Sequence, residues 1–258
     1  MGRLLVFSAV ALAAVVLVGT ALANHAWGSY HWSRTSTQVT LNVGDNVDTK
    51  WDAYLDGAIS DWNPSIVLEL TKVAGATSPS TCLPSAGRIE ACNAPYGTTG
   101  WLGIAQIWVS GGHITQAVTK LNDTYFDTAT YNPPPWRRLV ACQEIAHDFG
   151  LAHQDENFNN ANLGSCMDYT NDPDGGVSYG PSNEHPNQHD FDQLVAIYTH
   201  LDGSTGGGTS CKGRKCRNGL EKAPPFSQAN RANGDFYVDA VANGGHRLTH
   251  VFWTPFGE

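Results

Sequence analysis

The sequence predicts an α/β (α+β) fold with a twisted mixed sheet. Three observations carry that prediction: stretches of two-residue alternation interleaved with stretches of helical period, a 41% hydrophobic fraction with eight Trp, nine Tyr and nine Phe, and six cysteines in 258 residues. A chain of this length and composition can build a full core without depending on disulfides alone. Charged residues make up only 15%, which argues against disorder. The formal charge of −9 excludes broad nucleic-acid binding, because phosphate contacts need clustered Lys and Arg. The same acidity gives no reason to expect an anionic membrane surface as partner.

The elements follow in order. Arg3 precedes an apolar run from Leu4 to Val18 and small residues recur at Ala21 and Ala23, the pattern of a secretory signal peptide over residues 1–23. The apolar run is shorter than the roughly 20 residues of a spanning helix, so a secreted, extracellular protein with no membrane partner is expected. Val39, Leu41 and Val43 alternate as a strand, and Trp51, Tyr54, Leu55, Ala58, Ile59 and Trp62 share one face of a long helix that Asn63-Pro64 ends. Ile66 to Val73 alternates again. Residues 74–99 are rich in Gly, Pro, Ser and Thr and read as a long surface loop. Trp101 to Val109 and His113 to Leu121 are two further strands, separated by Ser110-Gly111-Gly112. Pro133 to Pro135 open a helix running to about Phe149, and Asn187 to Leu201 forms a last helix with Phe191, Leu194, Val195 and Tyr198 on one side. Asn122-Asp123-Thr124 fits a glycosylation acceptor.

Composition shifts near residue 203. Residues 24–202 hold seven basic and twenty acidic side chains, a balance of −13, whereas residues 203–258 balance at +3. The Gly/Ser/Thr run 203–210 between them reads as a linker. In the segment 211–258, Asn243-Gly244 between Phe236 to Val241 and Leu248 to Trp253 signals a hairpin. A lone hairpin is marginal, so it should pack on the main domain or bind something.

An even number of cysteines in an exported chain makes three disulfides the expectation. Proximity favours Cys82 with Cys92 and Cys211 with Cys216, which leaves Cys142 with Cys166.

The informative segment runs from Gln143 to Glu156. Positions 143 and 147 lie one helical turn apart on the same face, as two ligands to one metal must. Glu144 lies beside them, placed to take a proton from a metal-activated water. Gly150 can adopt the left-handed conformation that ends a helix and turns His153 back toward the same point. Few protein ligands, room for water and a carboxylate base are the parts of a catalytic zinc site.

This segment resembles the HExxHxxGxxH signature of the metzincin metallopeptidases, with Glu144, His147, Gly150 and His153 in register and Gln143 where the family has His. Ser165-Cys166-Met167-Asp168-Tyr169 resembles the family's Met-turn, with Met167 on its methionine and Tyr169 on the tyrosine that astacin-like members use to bind the metal or steady the tetrahedral intermediate. The resemblance spans about residues 36–202. It implies a metzincin-like zincin domain with a long N-terminal helix, an active-site helix, a Met-turn and a closing C-terminal helix. It implies bound Zn2+ and an extended protein or peptide substrate that pairs with an edge strand, for which Trp101 to Val109 is the candidate. A secreted, monomeric zinc metalloendopeptidase is the expected protein; the competing expectation is a catalytically inactive domain that binds extended polypeptide.

A neutral amide is a poor zinc ligand, so Gln143 needs help. Asp155 is the nearest helper, giving a set of His147, His153 and one carboxylate; His113, His185 and His189 are alternatives. Only about fourteen residues separate Asn24 from the first strand, and none is Cys. A pro-segment that blocks zinc through a Cys is therefore not expected.

Overall fold

The computed structural model describes residues 25–203 and 223–256. The chain order is β1 (His31–Trp32), β2 (Val39–Asn46), α1 (Asp52–Trp62), β3 (Leu68–Ala74), β4 (Arg88–Ala94), β5 (Trp101–Ser110), β6 (His113–Asn122), α2 (Asp123–Phe126), α3 (Pro134–His147), α4 (Gln188–Ile197), β7 (Phe236–Ala240) and β8 (His246–Trp253). Eight strands form one mixed sheet in the order β3-β2-β4-β6-β5-β8-β7, with β1 paired to the start of β6. Strands β2, β3, β4 and β6 are parallel, and β5 runs against β6.

Apolar periodicity explains most of these elements. In β2, Val39, Leu41 and Val43 are buried; in α1, Leu55, Ala58, Ile59 and Trp62 are buried on one face. Each such side chain contributes about 1.5–3 kcal/mol on leaving water. The Trp62 indole N–H also donates to the Cys142 carbonyl at 3.1 Å, tying α1 to α3. Helix α3 opens on prolines, whose missing N–H costs nothing in a first turn. From Leu139 to His147 every residue of α3 is buried, against α1 on one flank and β5, β6 and β8 on the other. Among the described residues no helix is long and apolar enough to cross a membrane.

Three expectations are corrected. Residues 74–99 are not wholly loop, because Arg88 to Ala94 form the central strand β4. That strand hides its polar Glu90 and Asn93 by pairing them, with the Arg88 guanidinium 2.9 Å from Glu90 and with Asn46 Nδ2 and the Asp48 amide donating at 2.7 Å to Glu90 and Asn93. Strand β5 is not an edge, since β8 pairs antiparallel along it from Trp101 to Val109 and β7 lies outermost. Unpaired strand groups on β5 would otherwise face solvent, and the hairpin satisfies them. The hairpin thus packs on the main sheet, one of the two outcomes expected for it. Finally, Asn122 is fully buried, its Nδ2 donating to Gly97 O, Thr99 Oγ1 and Trp101 O, so it offers no acceptor for glycosylation in the folded chain.

Disulfides Cys82–Cys92 and Cys142–Cys166 are present. The expected signal segment 1–23, the linker beyond Gly203 and the Cys211–Cys216 pairing lie outside the described residues.

Candidate metal centre

The centre is built on the C-terminal end of α3. His147 occupies the last helical position, and the chain then turns through Gly150, whose φ of 101° is left-handed. A Cβ there would also come 2.5 Å from the Tyr30 carbonyl, so only glycine permits both the turn and the close approach. The turn returns His153 to His147, with their Nε2 atoms 3.0 Å apart.

Hydrogen bonding fixes what those nitrogens can do. The Leu151 carbonyl lies 2.8 Å from His147 Nδ1 and can only accept, so Nδ1 carries the proton and the Nε2 lone pair points at His153. His153 Nδ1 faces Glu156 Oε1 at 3.4 Å and Asp235 Oδ2 at 3.9 Å, which favours its proton on that side as well. Two lone pairs then face each other across 3.0 Å. That arrangement suits a cation shared between them.

The third member is His250 on β8. His147, His153 and His250 each present a ligand atom within 4.8 Å of the others. The imidazole of His250 lies 4.1 Å from that of His147 and 4.6 Å from that of His153, centroid to centroid. Its Nδ1 sits 3.1 Å from Glu144 Oε2, and its Nε2 3.0 Å from the Tyr169 hydroxyl. Tyr169 donates to Asp235 Oδ2 at 2.5 Å. Trp27, from the N-terminal arm, stacks on His147 at 5.0 Å with rings 5° from parallel.

Gly103 on β5 allows Glu144 its place. A Cβ at that strand position would approach Glu144 Cγ and Val140 Cγ1 to 2.7 Å. Glu144 Oε1 is buried with no hydrogen-bond partner. Met167 is fully buried, and its carbonyl accepts from the Gln154 backbone N–H, one residue past His153, at 2.6 Å. The Cys142–Cys166 bridge ties α3 to this turn. The Ser165 hydroxyl donates to Asp190 Oδ2 at 2.7 Å, joining the turn to the capped start of α4.

Burial dominates the electrostatics. It pushes the Glu144 carboxyl well above its ordinary range and His147 well below, the neighbouring His250 and His153 adding to the latter. It carries His250 down to about 4 and lifts the Tyr169 phenol. For Asp235, burial acts upward but His153 and His250 outweigh it and hold the carboxylate below its usual range. Neutral imidazoles are the form that binds a metal.

The remaining expected residues sort clearly. Gln143 is fully buried, but its Nε2 donates to the Cys166 carbonyl at 2.7 Å, leaving only Oε1 without a partner. Asp155 is not brought to the histidines. Its Oδ1 accepts from the Asn157 amide at 2.8 Å and its Oδ2 from Asn160, so it shapes the following loop. His185 pairs with Asp61 at 2.7 Å on the surface, His189 stacks on His25 at 4.7 Å, and His113 lies in another cluster. The sequence reading omits His250. One signal for it existed: His250 alternates with Leu248 and Phe252 on the strand face that joins the main core, an unusual place for an imidazole.

Fold and site together define a mixed α/β protein with a buried three-histidine cluster beside a carboxylate. Comparison with protein-family models finds no match, and comparison with curated protein sequences finds none either. Among solved structures, the chain is similar to high choriolytic enzyme 1, a hatching enzyme zinc-protease from the medaka fish Oryzias latipes. The likeness has 13% identity and a TM-score of 0.38, and it covers 66% of this chain and 94% of that one.

Proposed function

We propose that the chain is a secreted zinc-dependent metalloendopeptidase of metzincin type, and that its third zinc ligand is His250. The single observation that carries this reading is the facing pair of His147 and His153 nitrogens beside Glu144. His147, His153 and His250 would hold the ion, imidazole being a far better donor than the amide of Gln143. Zinc supplies a Lewis acid that polarises the scissile carbonyl and acidifies water.

The chain's own groups do the rest. Glu144 Oε2 orients His250, while Oε1, which has no partner, is the atom available to take a proton from water and return it to the leaving amine. Tyr169, with its hydroxyl near His153 and His250, is placed to donate to a developing oxyanion once it turns from Asp235. An extended peptide would add to β5, but β8 occupies that line and Glu144 and His147 have no exposure. The chain as folded is therefore a closed, latent form; an extended protein or peptide enters when the β7–β8 hairpin parts from β5, which withdraws His250 and would leave the ion to His147, His153 and the unpartnered Oε1 of Gln143. The second reading is a catalytically inactive domain that binds extended polypeptide.

The test uses the full chain and Glu144→Ala, with zinc quantified in both, on an unfolded protein substrate with and without chelator. The assay is repeated after the segment 204–222 is cut at an inserted protease site. Chelator-sensitive cleavage that Glu144→Ala abolishes supports the enzyme. Bound zinc with no cleavage before or after the cut leaves the inactive reading, and no zinc removes the metal assignment.

A further inference from the structure

A second histidine cluster lies away from α3, where the N-terminal arm, the start of β6 and the segment after α4 meet. Strand pairing sets His31 directly opposite His113. Asp202 approaches both, with Oδ2 3.4 Å from His31 Nε2 and Oδ1 3.9 Å from His113 Nε2. His200 adds its Nε2 at 3.2 Å from Asp202 Oδ1, and its ring lies 4.9 Å from that of His31. One ligand atom each from His31, His113 and Asp202 falls within 4.8 Å of the others.

The hydrogen bonds again leave electron pairs facing inward. His31 Nδ1 lies 2.8 Å from the Ser29 carbonyl, which can only accept, so its Nε2 is the lone-pair nitrogen. His31 is 5% exposed, and this Nε2, which faces Asp202, is buried with no hydrogen-bond partner; on His113 the nitrogen that faces Asp202 is Nε2. Asp202 is held in place, its Oδ2 accepting from the Arg34 amide and its own amide donating to the Arg34 carbonyl, each at 2.7 Å. A lone pair aimed at a carboxylate is unfavourable unless a positive charge lies between them.

The geometry points to a second, structural zinc site with His31, His113, His200 and Asp202 as its four ligands. Three imidazoles and one carboxylate form a closed tetrahedral set that suits zinc rather than calcium or magnesium. His200 is half exposed and gives the ion its way in. The site fastens the arm that carries Trp27, the ring stacked on His147, so it would steady one wall of the first centre without touching it.

The experiment counts zinc in the full chain after dialysis and follows cobalt(II) absorption as that ion is titrated in. Two ions per wild-type chain are expected. His113→Ala or Asp202→Asn should leave one ion, as should His147→Ala, and Asp202→Asn with His147→Ala none. His200→Asn, at a half-exposed side chain, should weaken the second cobalt-binding step by about tenfold or more. Two ions that persist in Asp202→Asn and His200→Asn would overturn the proposal, as would a wild type whose one ion is lost in His147→Ala and kept in Asp202→Asn. In that case the cluster is an ion pair between Asp202 and protonated histidines. A wild type whose one ion is kept in His147→Ala and lost in Asp202→Asn would instead count against the first centre and leave this one standing.

Discussion

The two histidine clusters differ in how far apart in the chain their members lie. His147 and His153 come from one helix end and its turn, six residues apart, and only His250 is remote. His31, His113 and the pair His200 and Asp202 come from three separate segments, brought together by strand pairing and by the Arg34 clamp. A helix can fix ligand spacing in its own period, whereas a site drawn from three segments exists only once the sheet has formed. The first cluster should thus keep some metal affinity in a loosened chain, and the second should lose it with tertiary structure.

The largest expected effect tests that contrast at its strongest point. His147→Ala should abolish tight zinc binding at the first centre and lower any peptidase rate by at least about a thousandfold, read by metal analysis and peptide hydrolysis. Next comes the exchange between the chain's two answers for a third ligand. His250→Ala should weaken zinc binding at the first centre by orders of magnitude. Gln143→His in that background should restore it, because position 143 is one helical turn before His147. Failure of the rescue would mean that the Cys166 carbonyl holds side chain 143 away from the ion. With Gln143→His in place, releasing the hairpin by a cut in 204–222 should raise peptide hydrolysis by tenfold or more, whereas in the wild type, which then relies on the weaker amide of Gln143, the gain should be smaller. The smallest effect is Gly103→Ala. The new methyl meets Glu144 and Val140, and a cost of about 1–3 kcal/mol should appear as a melting temperature several degrees lower, with zinc stoichiometry unchanged.

Sequence pattern made much of this visible where the determinants are local. Helix α1 shows in the spacing of Trp51, Leu55, Ala58 and Trp62, and strands β5 and β6 show in alternation around Gly111-Gly112. The turn through Gly150 that pairs His147 with His153 is also local. Strand β4 was hidden because it is buried on both faces and carries Glu90 and Asn93, whose partners come from β2 and the loops beside it. The hairpin was legible as a hairpin, but alternation along β8 does not state which strand will receive it. For that reason β5 reads as an edge in the sequence, and nothing local joins His250 to His147 and His153, the group it lies among in the fold. His31 and His200 carried no signal at all, since neither lies in a spacing that a single helix or strand would turn into a site.

The position of β8 also sets an order of events during synthesis. Glu144 precedes His250 by 106 residues, so α3, the Gly150 turn and the whole of α4 leave the ribosome before β8 does. Until β8 arrives, β5 is a free edge and two histidines with a neighbouring carboxylate stand open beside it. The nascent chain thus passes through a stage in which its own later segments are the nearest extended polypeptide. Arrival of β8 ends that stage by pairing along β5 and bringing His250 within 4.8 Å of His147 and His153.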